Sequence, residues 1–221
     1  MSPIITMPKI VPFQKYAARY ERWFEKNHWV YEAELKAVRS LLPEGQYGME
    51  IGVGTGKFAA PLGVKIGVDP SGRMRAFAQK RGIKVLGGVA EKLPFKDSVF
   101  DFVLMVTTIC FVDDIDKAFK EACRVLPKGG YLITGLVDRN SPIGQIYLRH
   151  QNKNVFYKEA TFYSVDEVLE IMKQTGFNDF SFRQTIFRNL SEITEHETVK
   201  SGYGEGSFVV IRGKKNKYLV D

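Results

Sequence analysis

Two cysteines and three histidines among 221 residues leave little material for a disulfide framework or a metal centre. Cys110 falls at the end of a predicted strand and Cys123 on a predicted helix face, so both are expected to be free thiols. His28, His150 and His196 are scattered without ligand spacing, and no metal is expected. No apolar run approaches the ~20 residues that a bilayer span requires, and the opening Met1-Ser-Pro-Ile-Ile-Thr lacks the basic-then-apolar order of a secretory signal. The expectation is a soluble, cytoplasmic chain with no membrane partner. No repeat, low-complexity tract or Pro/Gly-rich linker separates two halves, so the chain reads as one domain with modest additions.

The formal charge of +7 is unevenly placed. Arg212, Lys214, Lys215 and Lys217 lie in the last ten residues; without them 28 basic residues face 25 acidic ones, a balance of +3. This reads as a solvated basic tail over 213–221. Nucleic acid is not expected as a partner, because the aromatic residues do not interleave with Lys and Arg as a single-strand groove requires.

What the chain does contain is a change of hydrophobic period. Residues 1–45 read as an N-terminal helical cap: Tyr16, Tyr20, Trp23 and Phe24 recur at helical spacing, Val30, Ala37, Val38, Leu41 and Leu42 share a second face, and Pro43-Glu-Gly45 stops the pattern. From residue 46 to 212 short apolar runs alternate with helical stretches. Residues 49–51, 64–68, 83–86, 100–106 and 130–137 read as strands, several too continuously apolar to have a wet face. Ile115, Ala118, Phe119, Ala122, Val125 and Leu126 form one helix face, with Asp113 or Asp114 as its N-cap; Ser164-Val-Asp-Glu167 is a capping box that opens another helix. Residues 177–183 and 207–212 complete the set of strands. The fold class is α/β: a doubly wound, mostly parallel seven-stranded sheet with an antiparallel strand. Residues 141–163 read as an irregular, substrate-facing insertion, and Gly202-Tyr-Gly-Glu-Gly206 as a flexible connection.

The strongest local signal is Gly48-Met-Glu-Ile-Gly-Val-Gly-Thr-Gly56, a strand running into a glycine turn before a predicted short helix. Glycine permits positive φ and lets a ligand approach the backbone. Asp69 follows 17 residues after Gly52, at the end of the second strand, where a carboxylate can accept from both hydroxyls of a ribose. A dinucleotide fingerprint would require a third glycine at the position held by Lys57. Glu50, two residues before the turn, also opposes a pyrophosphate and favours an ammonium or sulfonium. At about 4 Å and an effective dielectric near 20, the two cases differ in sign at roughly 4 kcal/mol each before screening.

These segments resemble the seven-stranded, class I S-adenosylmethionine-dependent methyltransferases, in their small-molecule, methyltransferase type 11-like branch. The likeness is collinear through the glycine turn, Gly67-Val-Asp-Pro-Ser71, Ala90-Glu-Lys-Leu-Pro-Phe95 with Ser98-Val-Phe-Asp101, and Glu121-Ala-Cys-Arg-Val-Leu126. It implies S-adenosylmethionine as cofactor, with Gly52, Gly54 and Gly56 beneath its methionyl part and Glu50 near its ammonium. Asp69 would meet the ribose, Pro70 and Ser71 would lie beside the adenosine, Ala90 and Glu91 would flank the adenine, and the Thr107 backbone would meet the methionyl group. Val89 stands where relatives often place Asp. Tyr20 is the candidate nearest the transferred methyl, Phe156 and Tyr157 are substrate-facing, with Phe162 a further aromatic of the same segment, and His150 is the candidate base. The implied activity is methyl transfer to a nucleophilic atom of a small-molecule acceptor. The alternatives are an RNA or protein methyltransferase, a non-catalytic S-adenosylmethionine-binding protein, or an NAD-dependent oxidoreductase.

Overall fold

The computed structural model describes residues 9–216. One eight-stranded sheet runs through it in the order β3-β2-β1-β4-β5-β8-β6-β7. Its strands are β1 (Gly48–Ile51), β2 (Ile66–Val68), β3 (Lys84–Leu86), β4 (Phe102–Val106), β5 (Tyr131–Val137), β6 (Phe177–Thr185), β7 (Lys200–Ser201) and β8 (Phe208–Lys215). β3, β2, β1, β4 and β5 pair in parallel, while β8 enters antiparallel between β5 and β6. The seven expected strands are therefore present, and β7 adds a two-residue ribbon on the outer edge of β6.

The alternation along β4 shows how the layers form. Val103 and Met105 face one side, where they pack with Phe119, Val125, Val168 and Met172 from α4 (Ile115–Val125) and α6 (Val165–Gln174). Phe102, Leu104 and Val106 face the other, against α2 (His28–Arg39), Ala78 of α3 (Gly72–Lys80) and Ile143 of α5 (Pro142–His150). All five β4 residues are buried, as a strand covered on both faces requires. Asp114 caps α4 by accepting from the Lys117 N–H at 3.0 Å, and Ser164 and Glu167 form the reciprocal capping box of α6.

Four expectations need correction. The segment 141–163 is not irregular throughout: Ser141 accepts from the Gly144 N–H at 3.1 Å, Pro142 occupies the first turn, and α5 follows. Gly144 within it is demanded by packing, since a Cβ there would lie 2.1 Å from the Asp138 carbonyl oxygen. The stretch after the glycine turn is a succession of single turns, with Ala60 N–H on Gly56 O at 3.1 Å and Val64 N–H on Ala59 O at 2.9 Å, not a regular helix. The basic tail begins later than residue 213, because β8 runs to Lys215. The Lys215 ammonium donates to Cys123 O at 2.7 Å and Leu126 O at 2.8 Å, closing the C-terminus of α4. Lys217 and the rest of the expected tail lie outside the described residues. Gly202-Tyr-Gly-Glu-Gly206 is anchored, since Gln184 Oε1 accepts from the N–H groups of Glu205 at 2.9 Å and Gly206 at 2.8 Å.

Among the described residues no helix is long and apolar enough to cross a membrane.

Candidate active site

Ile51, Val68, Val106 and Val137, the last residues of β1, β2, β4 and β5, converge on a cavity of about 280 Å³. The strand order reverses between β1 and β4, and in a doubly wound sheet the crevice beyond that point is where ligands bind. Helix α1 (Val11–Lys26) lies across it. Its helical geometry breaks at Tyr16 (φ −119°, ψ 26°), so the first turns approach the cavity at a different angle from the rest.

The glycine turn forms one wall. Gly52 and Gly54 line the cavity with φ of 65° and 55°. A Cβ on Gly52 would lie 2.4 Å from Thr108 Cγ2, whereas one on Gly54 would meet nothing closer than Met74 Cε at 3.5 Å and the Tyr20 hydroxyl at 3.9 Å. Gly54 therefore leaves room on the cavity side. Gly56 does not line the cavity: its φ is 83°, and its missing Cβ makes way for Ile83, whose Cδ1 would stand 2.4 Å away.

Asp69, 7% exposed, joins this turn to the next segment. Its Oδ2 accepts from the Gly54 N–H and its Oδ1 from the Ser71 N–H, both at 2.8 Å. Burial lifts its carboxyl from the usual 3.8 to about 6, against the pull of those two donors. Pro70 and Ser71 also line the cavity. The Ser71 hydroxyl caps α3 and donates to Gln14 Oε1 at 2.9 Å; the same oxygen accepts from Arg73 N–H at 3.2 Å, clasping α1 over the segment.

Glu50 sits behind the turn, 1% exposed and not among the lining residues. Its Oε2 has no hydrogen-bond partner, and burial holds the carboxyl well above the usual range. The orphan oxygen is unused hydrogen-bonding capacity directly behind the glycine turn.

Across the cavity, Ala90 and Glu91 line the edge beyond β3. Glu91 Oε1 is engaged by the N–H groups of Asp113 at 2.7 Å and Asp114 at 3.2 Å, so its carboxylate braces the entry to α4. The segment after it is held from the same helix. Glu121 accepts from Leu93 N–H at 2.7 Å, and Arg124 donates to Phe95 O at 2.9 Å and Asp97 at 2.7 Å. Two motifs some 30 residues apart are thus one structural unit. Thr107, φ 50°, lines the cavity at the end of β4, its N–H fixed on Gly135 O at 2.8 Å.

The remaining wall is aromatic. Tyr20, Trp23 and Phe24 of α1, Phe111, and Phe156 and Tyr157 of the segment after α5 all line it. Phe13 packs edge-on to Tyr20 and Phe111, with ring centroids 5.9 and 4.8 Å apart. Phe162 is buried among aromatic rings outside the lining set. His150 is a correction: it stands exposed at the end of α5, away from the lining residues, and Tyr147 of the same helix takes the inward position. The sequence reading missed Gln14, Phe13, Tyr147 and above all Glu34 of α2, which is 6% exposed and lines the cavity. Ser141-Pro142 was the local sign that α5, and with it Tyr147, should exist.

Comparison with known proteins agrees with this architecture. A family model described as a methyltransferase domain matches residues 49–134. An uncharacterized protein of Methanocaldococcus jannaschii is 46% identical over 203 residues, spanning 92% of this chain and 98% of the relative. A demethylmenaquinone methyltransferase of Chlorobaculum tepidum is 35% identical over 148 residues, 62% of this chain and 61% of that one. A crystal structure from Thermotoga maritima, described as an S-adenosylmethionine-dependent methyltransferase and possible histamine N-methyltransferase, superposes with a TM-score of 0.92. It shares 55% identity and covers 94% of this chain and 100% of its own. With the sheet order, the glycine turn and relatives that span nearly the whole length, the chain belongs to the class I S-adenosylmethionine-dependent methyltransferases.

Proposed function

We propose that this protein methylates a nucleophilic atom of a compact small molecule, with cofactor and acceptor sharing the cavity above β1, β2, β4 and β5. The observation that carries the reading is the division of that cavity. One half is backbone and carboxylate (Gly52, Gly54, Asp69, with Glu50 behind), and the other is aromatic (Phe13, Tyr20, Tyr147, Phe156, Tyr157). The first half fits S-adenosylmethionine. Asp69 would take the ribose hydroxyls, the orphan Glu50 oxygen would answer the α-ammonium through the turn, Gly52, Gly54 and Thr107 would lie along the methionyl chain, and Pro70, Ser71, Ala90 and Glu91 would flank the adenosine. Gly56 is withdrawn from that set as a packing glycine. With Val89 in the wall and the Glu91 carboxylate engaged elsewhere, adenine would be held by backbone and apolar contact.

The bound cofactor supplies a methyl group already activated on a sulfonium. The protein's own task is to align the acceptor and keep water out, and orientation of this kind is worth roughly 7–11 kcal/mol. Here α1, clasped through Gln14, closes the cavity, and Tyr20 sets its hydroxyl over Gly54. Burial and the neighbouring carboxylates keep that hydroxyl protonated, so Tyr20 acts as a donor and a steric guide, not as a base.

Calorimetry with S-adenosylhomocysteine, S-adenosylmethionine and NAD tests the reading. The first two are expected to bind in the micromolar range and NAD not to compete; tight NAD binding with no affinity for S-adenosylhomocysteine would overturn it.

A further inference from the structure

Glu34 is a carboxylic acid where the packing calls for a hydrocarbon. It lies on the buried face of α2 among Val30, Ala33, Ala37 and Val38. No hydrogen bond or ion pair to its carboxyl is found among the described residues, whereas the other two carboxylates that line the cavity have partners: Asp69 has two N–H donors and Glu91 two. What the Glu34 side chain faces is the cavity, on its aromatic side. A carboxyl held on an otherwise apolar helix face is unfavourable unless something in the cavity answers it.

Resting on the reading above, we infer that the methyl acceptor is a compact amine whose nitrogen docks as an ammonium on Glu34 and leaves its proton there before methylation. The surroundings suit a cation. Tyr20 from α1, Tyr147 from α5 and Tyr157 from the segment after it are the titratable groups that feel the Glu34 charge. All three phenols are pushed upward by burial and stay neutral, offering ring faces and hydroxyls but no competing positive charge. Lys9, the cationic residue of the lining, is turned to Thr161 Oγ1 at 3.3 Å. Among the described lining residues, an acceptor's carboxylate or phosphate would meet phenol hydroxyls but no cationic side chain other than Lys9.

Burial raises the Glu34 carboxyl from the usual 4.5 to about 8, so at pH 7 the cavity holds it mostly protonated. An arriving ammonium restores the carboxylate and expels that proton to solvent. In the next step the ammonium N–H bond breaks and an O–H bond forms on Glu34, freeing the nitrogen lone pair. The nitrogen then forms the N–C bond as the methyl's C–S bond breaks, with the electron pair of that bond left on sulfur and the positive charge on the methylated amine.

The probes are 2-phenylethylamine and its neutral isostere 2-phenylethanol, titrated calorimetrically into the full chain saturated with S-adenosylhomocysteine, at pH 7 in two buffers of different ionisation enthalpy. The amine is expected to bind at least tenfold more tightly than the alcohol, with close to one proton released. Glu34→Gln is expected to weaken the amine at least tenfold, abolish the proton release, and leave the alcohol and S-adenosylhomocysteine within about twofold. Equal affinities of wild type for the two probes, absence of amine binding, or an amine affinity unchanged in Glu34→Gln would each overturn the inference. Should Glu34→Gln not fold, the comparison of amine and alcohol in the wild type decides alone. Loss of S-adenosylhomocysteine binding by the wild type would instead sink the preceding reading, so the two failures are distinct.

Discussion

Asp69 makes the cofactor half of the cavity dependent on pH, and the sign of that dependence is opposite for folding and for binding. A raised carboxyl pKa means that the folded chain keeps a proton which the unfolded chain has already lost. Stability from this group is therefore greatest below about pH 4 and falls as pH rises toward 6, after which it is constant. The gap between 3.8 and about 6, at roughly 1.4 kcal/mol per pH unit, comes to about 3 kcal/mol. Ribose hydroxyls need the ionised carboxylate, so cofactor affinity should rise with pH, by up to about tenfold per unit below pH 6. Asp69→Asn cannot ionise. It keeps one acceptor for Gly54 or Ser71 and leaves the other buried N–H unanswered, at a cost of about 1–3 kcal/mol. Because Glu34 and Glu50 are also raised by burial, the quantity to compare is the difference between wild type and variant across the pH series. Urea melts followed by tryptophan fluorescence from pH 4 to 8 are expected to show a wild-type decline that exceeds the variant's by about 2–3 kcal/mol. In titrations of S-adenosylhomocysteine from pH 5 to 8, affinity is expected to rise up to about pH 6 and level off above it in the wild type, and to be flat in Asp69→Asn. Equal slopes in the two proteins would refute the assignment of an ionised Asp69 to the ribose.

Three further expectations follow from the same geometry. Gly52→Ala adds a Cβ 2.4 Å from Thr108 Cγ2 at a φ of 65° and should cost about 2–4 kcal/mol in thermal stability; Thr108→Ala should restore only the steric part, and full rescue would contradict the backbone argument. Tyr20→Phe keeps the edge-on ring contacts to Phe13 and Phe24 but loses the hydroxyl over Gly54. Turnover should fall about tenfold with the melting temperature unchanged, a loss of about 1.4 kcal/mol in transition-state stabilisation; equal losses of both would return Tyr20 to packing. Arg124→Met cuts the ties to Phe95 O and Asp97, so amide exchange over residues 90–97 should accelerate before that of β4 does; unchanged protection there would show that the segment holds itself.

The clasp through Gln14 and the break in α1 at Tyr16 have a common consequence. The first turns of α1 are joined to the cavity rim by side-chain hydrogen bonds, while the later turns are packed through Phe24 into the core below. The first turns thus hold the rim through Gln14 and through Phe13 against Phe111 and Phe156, contacts separate from those of Phe24 in the core.

Local chemistry settled a large part of this protein. Helix and strand periods placed α1, α2, α4, α6 and the seven main strands, the Ser164–Glu167 box marked the start of α6 to the residue, Asp113 or Asp114 bracketed that of α4, and positive φ at Gly52 and Gly54 followed from glycine spacing after a strand. Asp69 stands against that turn because parallel pairing of β1 with β2 aligns their C-terminal ends, a register that strand–helix alternation already implies. What periodicity encodes is which face of an element is covered, not what lies opposite. Glu34 shares a face with Val30 and Val38, and only the folded chain shows that this face passes over a cavity at that one turn. The need for glycine at 144 shows only once the Asp138 carbonyl is seen against it, and without α5 the inward Tyr147 and the outward His150 could not be told apart. Gly56 and Lys215 carry the same lesson: a residue type fixes what a position can do, and the neighbour brought in by the sheet decides which of those uses is taken.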